Sequence, residues 1–137
     1  MAGGVLAATL FAAGQETLEQ LQARAAQVKP AEQVRLYLEV AERQWHAAEE
    51  AYGRDDVERG NARVDEMATA CEKAAEAARD SGKHLKFAEI RLRSLERRLE
   101  NVRRQLNFDD REAATRAIER LEKARTTLFR AMFGMTP

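Results

Sequence analysis

The chain has 137 residues, 34% of them charged and 45% hydrophobic. That is enough for one domain with a real core and too little for two ordinary ones. Basic and acidic residues balance at 23 each, which argues against a dedicated nucleic-acid or polyanion binder, because such proteins carry a basic excess. Ala, Leu, Glu, Arg and Gln dominate. These are good helix formers, and no stretch alternates with period two, so essentially no β-strand is expected.

Val5 to Ala13 is a short apolar run without charge, too short to span a bilayer as a helix. Ala12-Ala13-Gly14 and the polar Gln15-Glu16 follow, the outline of a secretory h-region and a small-residue cleavage site. Residues 1–14 therefore read as a signal-peptide remnant or an apolar N-terminal tail, residues 15–133 as one helical-bundle domain and 134–137 as a frayed end. Met1-Ala-Gly-Gly carries no Lys or Arg. Either the true start lies upstream, or the run is an apolar first turn of helix and the protein is cytoplasmic.

Gln15 to Val28 predicts a helix with Leu18, Leu21, Ala25 and Val28 on one face. Lys29-Pro30 interrupts it, since proline suits a first helical turn and breaks an interior. The piece at 15–28 either extends the next helix through a kink or folds back as a short helix of its own. From Pro30 to Tyr52 the seam is Val34, Leu38, Ala41, Trp45, Ala48 and Tyr52, with Gly53 expected to supply a left-handed end. Asp55 as N-cap and Glu58 three residues on form a capping-box-like opening. Val57, Val64, Met67, Cys71, Ala74 and Ala78 continue that helix to Ser81-Gly82, with an alanine-rich face that lets a neighbour approach closely. Trp45, Tyr52 and the following turn invite a tetratricopeptide reading. Asn61 and Asp65 nevertheless fall where a small residue and an aromatic belong, and no second copy is visible.

Leu85, Ala88, Leu92, Leu95, Leu99, Val102 and Leu106 recur at intervals 3, 4, 3, 4, 3, 4, an uninterrupted heptad seam that needs partner helices. In the next turn Asp109 is placed to cap and Phe108 to pack back as a hydrophobic staple. The last stripe is Ala114, Ala117, Ile118, Leu121, Ala124, Leu128 and Met132, widened by Phe129 and Phe133. Matched lengths and short turns predict an all-α, antiparallel up-and-down helical bundle with coiled-coil-like packing, three long helices plus a short or kinked N-terminal helix.

The zero net charge hides a dipole. Residues 15–52 and 53–80 each carry net −3, residues 81–107 net +5 and residues 108–137 net +1. The acidic first half should attract the basic segment within one bundle. Arg91 and Arg98 share one flank of the Leu85–Leu106 seam and Glu89 and Glu96 the other, with Arg103 below them, while Arg93, Arg97 and Arg104 point away. These six arginines are the candidate partner surface. They serve either as an ion-paired face meeting the acidic helices or as a docking surface for an acidic partner or anionic headgroups.

Phe87, Ile90, Phe129, Met132 and Phe133 form a candidate apolar contact patch at one end of the bundle. Either the segment at 15–28 covers it as a lid, or a second copy does, by two-fold pairing in the simplest case.

No catalytic, metal or cofactor constellation is present. His46 falls one place past the seam residue Trp45, His84 lies in the first turn of the basic helix, and neither sits in a paired Glu-x-x-His pattern. Cys71 lies among alanines, placed as a buried structural thiol. No phosphate loop, nucleophile elbow or zinc spacing occurs.

The run Gly82-Lys-His-Leu-Lys86, Ile90-Arg-Leu-Arg93, Leu95, Arg97-Arg-Leu-Glu100, Arg103-Arg104, Leu106, Phe108 and Asp110-Arg111 resembles a pattern in uncharacterised exported all-helical proteins of environmental bacteria. The resemblance covers about the second half of the chain. It implies export, to the periplasm or cell envelope, and a helical fold, and carries no activity or site residue. The expectation is a non-enzymatic protein without cofactor, binding a protein partner or itself. No nucleic acid is expected, and a membrane surface is the alternative.

Overall fold

A computed structural model of the chain describes residues 16–134. The readings made for residues 1–14, and for 135–137 of the frayed end, lie outside the described residues. The fold is all-α, with helices α1 (Leu18–Gln27), α2 (Pro30–Gly53), α3 (Val57–Ser81), α4 (Leu85–Gln105) and α5 (Glu112–Met132). A 3-10 turn at Phe108–Asp110 precedes α5, and no strand occurs among the described residues. Four long helices of 21 to 25 residues, not three, follow Pro30. The chain breaks at Gly82 and His84, whose φ of 67° and 61° are left-handed, and again at residues 106–111, where the sequence places both breaks, so each of the four seams after Lys29 is a helix of its own.

α1 is the folded-back helix of the two alternatives. Thr17 caps it in a true capping box: its hydroxyl accepts the Gln20 N–H at 3.1 Å, and the Gln20 side chain accepts the Thr17 N–H at 2.9 Å. Val28 and Lys29 are extended, as the position before Pro30 demands, because the proline ring crowds a helical predecessor. α1 then lies along α2. Gln33 donates to the Ala25 carbonyl at 3.1 Å and Arg43 to the Glu16 carbonyl at 2.5 Å, while Leu21 and Ala25 enter the core fully buried.

Three caps differ from expectation. Gly53 stays helical, and the left-handed residue is Asp55, with φ 61°. The N-cap of α3 is consequently Asp56, whose carboxylate accepts the Arg59 N–H at 3.2 Å, and no Asp55–Glu58 box forms. Asp109 does not cap α5: it lies within the 3-10 turn, and the N-cap is Arg111, without a side-chain cap bond. Phe108 does not staple either: it is 83% exposed. The turn is held instead by Arg111, which donates to the carbonyls of Leu106 at 2.9 Å and Arg104 at 3.3 Å.

The core draws on all five helices. Every seam residue of α2 from Val34 to Ala48 is buried, as are Met67, Cys71 and the alanines of α3 from Ala68 to Ala78, and Ala88, Leu92, Leu95 and Leu99 of α4. Leu85 and Val102 pack on its edge. α3 lies between α2 and α5, and α4 packs on α5 and more lightly on α2 and α3. Tyr52 near the end of α2 donates to Asn61 near the start of α3 at 2.6 Å. Along α3 and α5 the contacts rise together, from Asp65–Arg116 to Glu72–Arg120.

Candidate interaction surface

The charges sort themselves by interface. Between α2 and α4, Glu42 takes Arg98 at 2.9 Å and Arg91 at 3.4 Å. Between α3 and α5, Asp65 takes Arg116 at 3.2 Å, and Glu72 takes Arg120 through Nη2 at 2.6 Å and Nε at 3.0 Å. Between α4 and α5, Arg125 bridges Glu89 and Glu96, each at 3.0 Å. Between α2 and α3, Arg63 donates to the buried Gln44 at 3.2 Å. In the pairs linking α2–α3 to α4–α5, the first partner supplies the carboxylate and the second the arginine. Most of these groups are partly exposed, so each pair is worth only about 0.2–1 kcal/mol. Their larger effect is on which helix neighbours which, since a wrong pairing sets like charges together.

The six arginines therefore divide. Arg91 and Arg98 are spent on Glu42, and Arg93 makes a two-pronged pair with Glu89. Arg97 and Arg104 are exposed, the Arg104 side chain hydrogen-bonded among the described residues only to Asn101. Arg103 and Arg104 line an open groove with Phe108, Arg111 and Glu119.

The apolar patch is divided too. Phe87 lies beneath the guanidinium groups of Arg35 and Arg91, 4.9 and 5.7 Å from its ring centre, on the α2 flank of α4. Phe129 lines a shallow depression with Glu89, Arg125 and Arg130 between α4 and α5, its ring 5.0 Å from that of Phe133. Ile90, Phe129 and Phe133 remain exposed and Met132 half-buried. α1 packs along α2 and leaves them so; it is not their lid.

Every phenylalanine among the described residues, Phe87, Phe108, Phe129 and Phe133, is exposed, from 37% to 83%. Phenylalanine is ordinarily among the more buried residue types. All four, with Ile90, belong to α4, α5 or the turns that bound them.

Glu89 is the buried carboxylate that sequence reasoning left on a flank. Its hydrogen bond from Arg93, supported by Arg125, holds it below the usual carboxylate range against the cost of burial. Glu96 goes the other way: burial pushes it up, Arg125 only partly offsets this, and Glu122 and Glu100 add to the rise. Its Oε1 is buried without a partner among the described residues.

The two carboxylates should oppose each other in pH dependence. Stability from Glu89 is present above the ordinary glutamate range, about 4.3, and is lost as pH falls through its depressed value. The fold's preference for protonated Glu96 is present below that range and is lost as pH rises. In thermal melts between about pH 3 and pH 7, Glu89→Gln should lose stability mainly at the neutral end. Glu96→Gln should hold or gain stability there. Equal losses from both would refute the assignment.

His46 is exposed beside Glu49, and His84 precedes α4 as its left-handed N-cap. Cys71 is fully buried, and burial pushes its thiol well up, away from the thiolate. Among the described residues no group of three or more His, Cys, Asp or Glu is arranged to hold a metal ion, and no helix is long and apolar enough to cross a membrane. No protein-family model matches the chain, and neither curated proteins nor solved structures give a match.

Proposed function

We propose that the chain is an exported, non-enzymatic helical bundle that works by binding another protein or a second copy of itself, with the α4–α5 pair as its working element. The scaffold in this reading is two antiparallel hairpins, α2–α3 and α4–α5, packed side by side in coiled-coil fashion with α1 on the outside. One observation carries the proposal. The exposed phenylalanines all lie on α4–α5, while the core beneath is closed by leucine and alanine. Phe129 and Phe133, with ring centres 5.0 Å apart, are the contiguous part of that exposure, and contiguous exposed apolar surface marks interaction sites.

Sedimentation equilibrium tests self-association. The expected result is a concentration-dependent mass above the monomer, reduced by Phe129→Ser with Phe133→Ser. A monomer at every concentration removes self-association and leaves only a foreign protein partner.

A second reading, a module that binds anions or a membrane surface at the periphery, has its own observation. Lys86, Ile90, Arg93, Arg97, Asn101 and Arg104 are all exposed, and the acid nearest in spacing between Arg97 and Arg104, Glu100, is half-buried at their edge.

A further inference from the structure

We infer that the back of α4 is a docking strip for an anionic lipid bilayer; this rests on the second reading above and supplies its partner. Lys86, Ile90, Arg93, Arg97, Asn101 and Arg104 follow one another at intervals 4, 3, 4, 4, 3, which places them on one helical stripe. The stripe stands opposite the buried Ala88, Leu92, Leu95 and Leu99. At 1.5 Å per residue it is about 27 Å long. Ion pairing within α4 and across to α2 takes Arg91, Arg93 and Arg98 and leaves Lys86 and Arg97 out. Among the described residues the Arg104 side chain is hydrogen-bonded only to Asn101. Two apolar side chains stand towards the strip's two ends: Ile90, 47% exposed, and Phe108, 83% exposed, which shares its groove with Arg103 and Arg104.

Charge and spacing together select the occupant. A partner helix docks through contiguous apolar anchors at i, i+3 or i+4 and i+7, and between Ile90 and Phe108 the strip offers Arg93, Arg97, Asn101 and Arg104 instead. A second copy pairing strip to strip would set like charges together, which is unfavourable. A headgroup layer accepts isolated apolar side chains one at a time and presents diffuse negative charge along the whole length. The carboxylates of α5 that flank the strip, Glu119 and Glu122, are exposed, so the contact is confined to α4 and the Phe108 turn. Phe129 and Phe133 stay available for protein contact.

The test is co-sedimentation of the full chain with phosphatidylcholine vesicles, with and without phosphatidylserine, at low and moderate salt. Binding is expected only to the anionic vesicles and should weaken with salt. Each cation near the surface contributes about a fivefold change in partition. Lys86→Glu with Arg97→Glu should therefore lower binding by at least about 25-fold, with an unchanged melt and an unchanged sedimentation mass. Arg59→Glu, the same charge change at an exposed site on α3, should leave binding intact, and Phe108→Ser should weaken it several-fold.

Failure to bind anionic vesicles at low salt overturns the proposal, as does equal loss from Arg59→Glu. Equally tight, strip-dependent binding of a DNA oligonucleotide would also overturn it in favour of polyanion binding. A chain that ignores vesicles but still self-associates through Phe129 and Phe133 refutes the strip and leaves protein binding standing.

Discussion

Leu99→Ala is expected to lower stability by about 2–5 kcal/mol, the cost of a large-to-small change in a packed core. Leu99 is fully buried in α4, in the same core as Trp45, Met67 and Leu121 of the other long helices. A domain of this size loses about 4 °C in Tm per kcal/mol, so the melt should fall by roughly 8–20 °C. Arg97→Ala, two residues away on the exposed strip, should cost less than about 0.5 kcal/mol. The pair controls for helix propensity, since both changes introduce alanine into the same helix. If the two variants melted together, the heptad seam would not be the buried face of α4. A loss at Leu99 near the lower end of the range would mean that its neighbours collapse into the space, which the small alanines of α3 and α5 make easier.

That seam was legible in the chain because one physical rule produces it: a helix buried along one stripe repeats its apolar residues every three or four positions. Ala88, Leu92, Leu95 and Leu99 obeyed it, and so did Val34 to Ala48 of α2. The rule fails where a helix has several neighbours. α2 meets α1, α3 and α4, so it buries Tyr37, Val40, Gln44 and Ala51 as well, a second arc that a single seam does not show.

Caps were misread by one residue where two acids stand together, as at Asp55-Asp56, because sequence shows which side chains can cap and not which one takes the left-handed turn. The charge asymmetry between the two halves was visible, whereas the partners were not. Glu42 meeting Arg91 and Arg98, and Arg125 meeting Glu89 and Glu96, depend on the register between helices far apart in sequence. The exposed phenylalanines were the least legible feature. Hydrophobicity alone sends Phe108 inward, and only the finished packing shows that no cavity waits for it.

Gly60→Ala should reverse its sign with the identity of residue 52. Gly60 is buried near the start of α3, and a Cβ built there would stand 2.5, 2.6 and 2.8 Å from three ring atoms of Tyr52. That ring is held in place, because its hydroxyl donates to Asn61 at 2.6 Å. Burial, with Asp65 and Asp110 nearby, pushes the hydroxyl's pKa up to about 12. It therefore remains a donor throughout the neutral range. In the native background alanine must displace the ring, an overpacking cost of about 1–3 kcal/mol, set against about 0.5–1 kcal/mol gained by replacing glycine in a helix. The net expectation is a loss.

With Tyr52→Ala already in place the obstruction is gone, and Gly60→Ala should then stabilise by about 0.5–1 kcal/mol. The coupling between the two sites should accordingly be about 1–3 kcal/mol, as expected for side chains in direct conflict. Urea unfolding of the four proteins measures it. Additive effects would mean that Tyr52 does not lie over Gly60, and the α2–α3 turn would then need another explanation for placing a helix-weakening residue at a buried position.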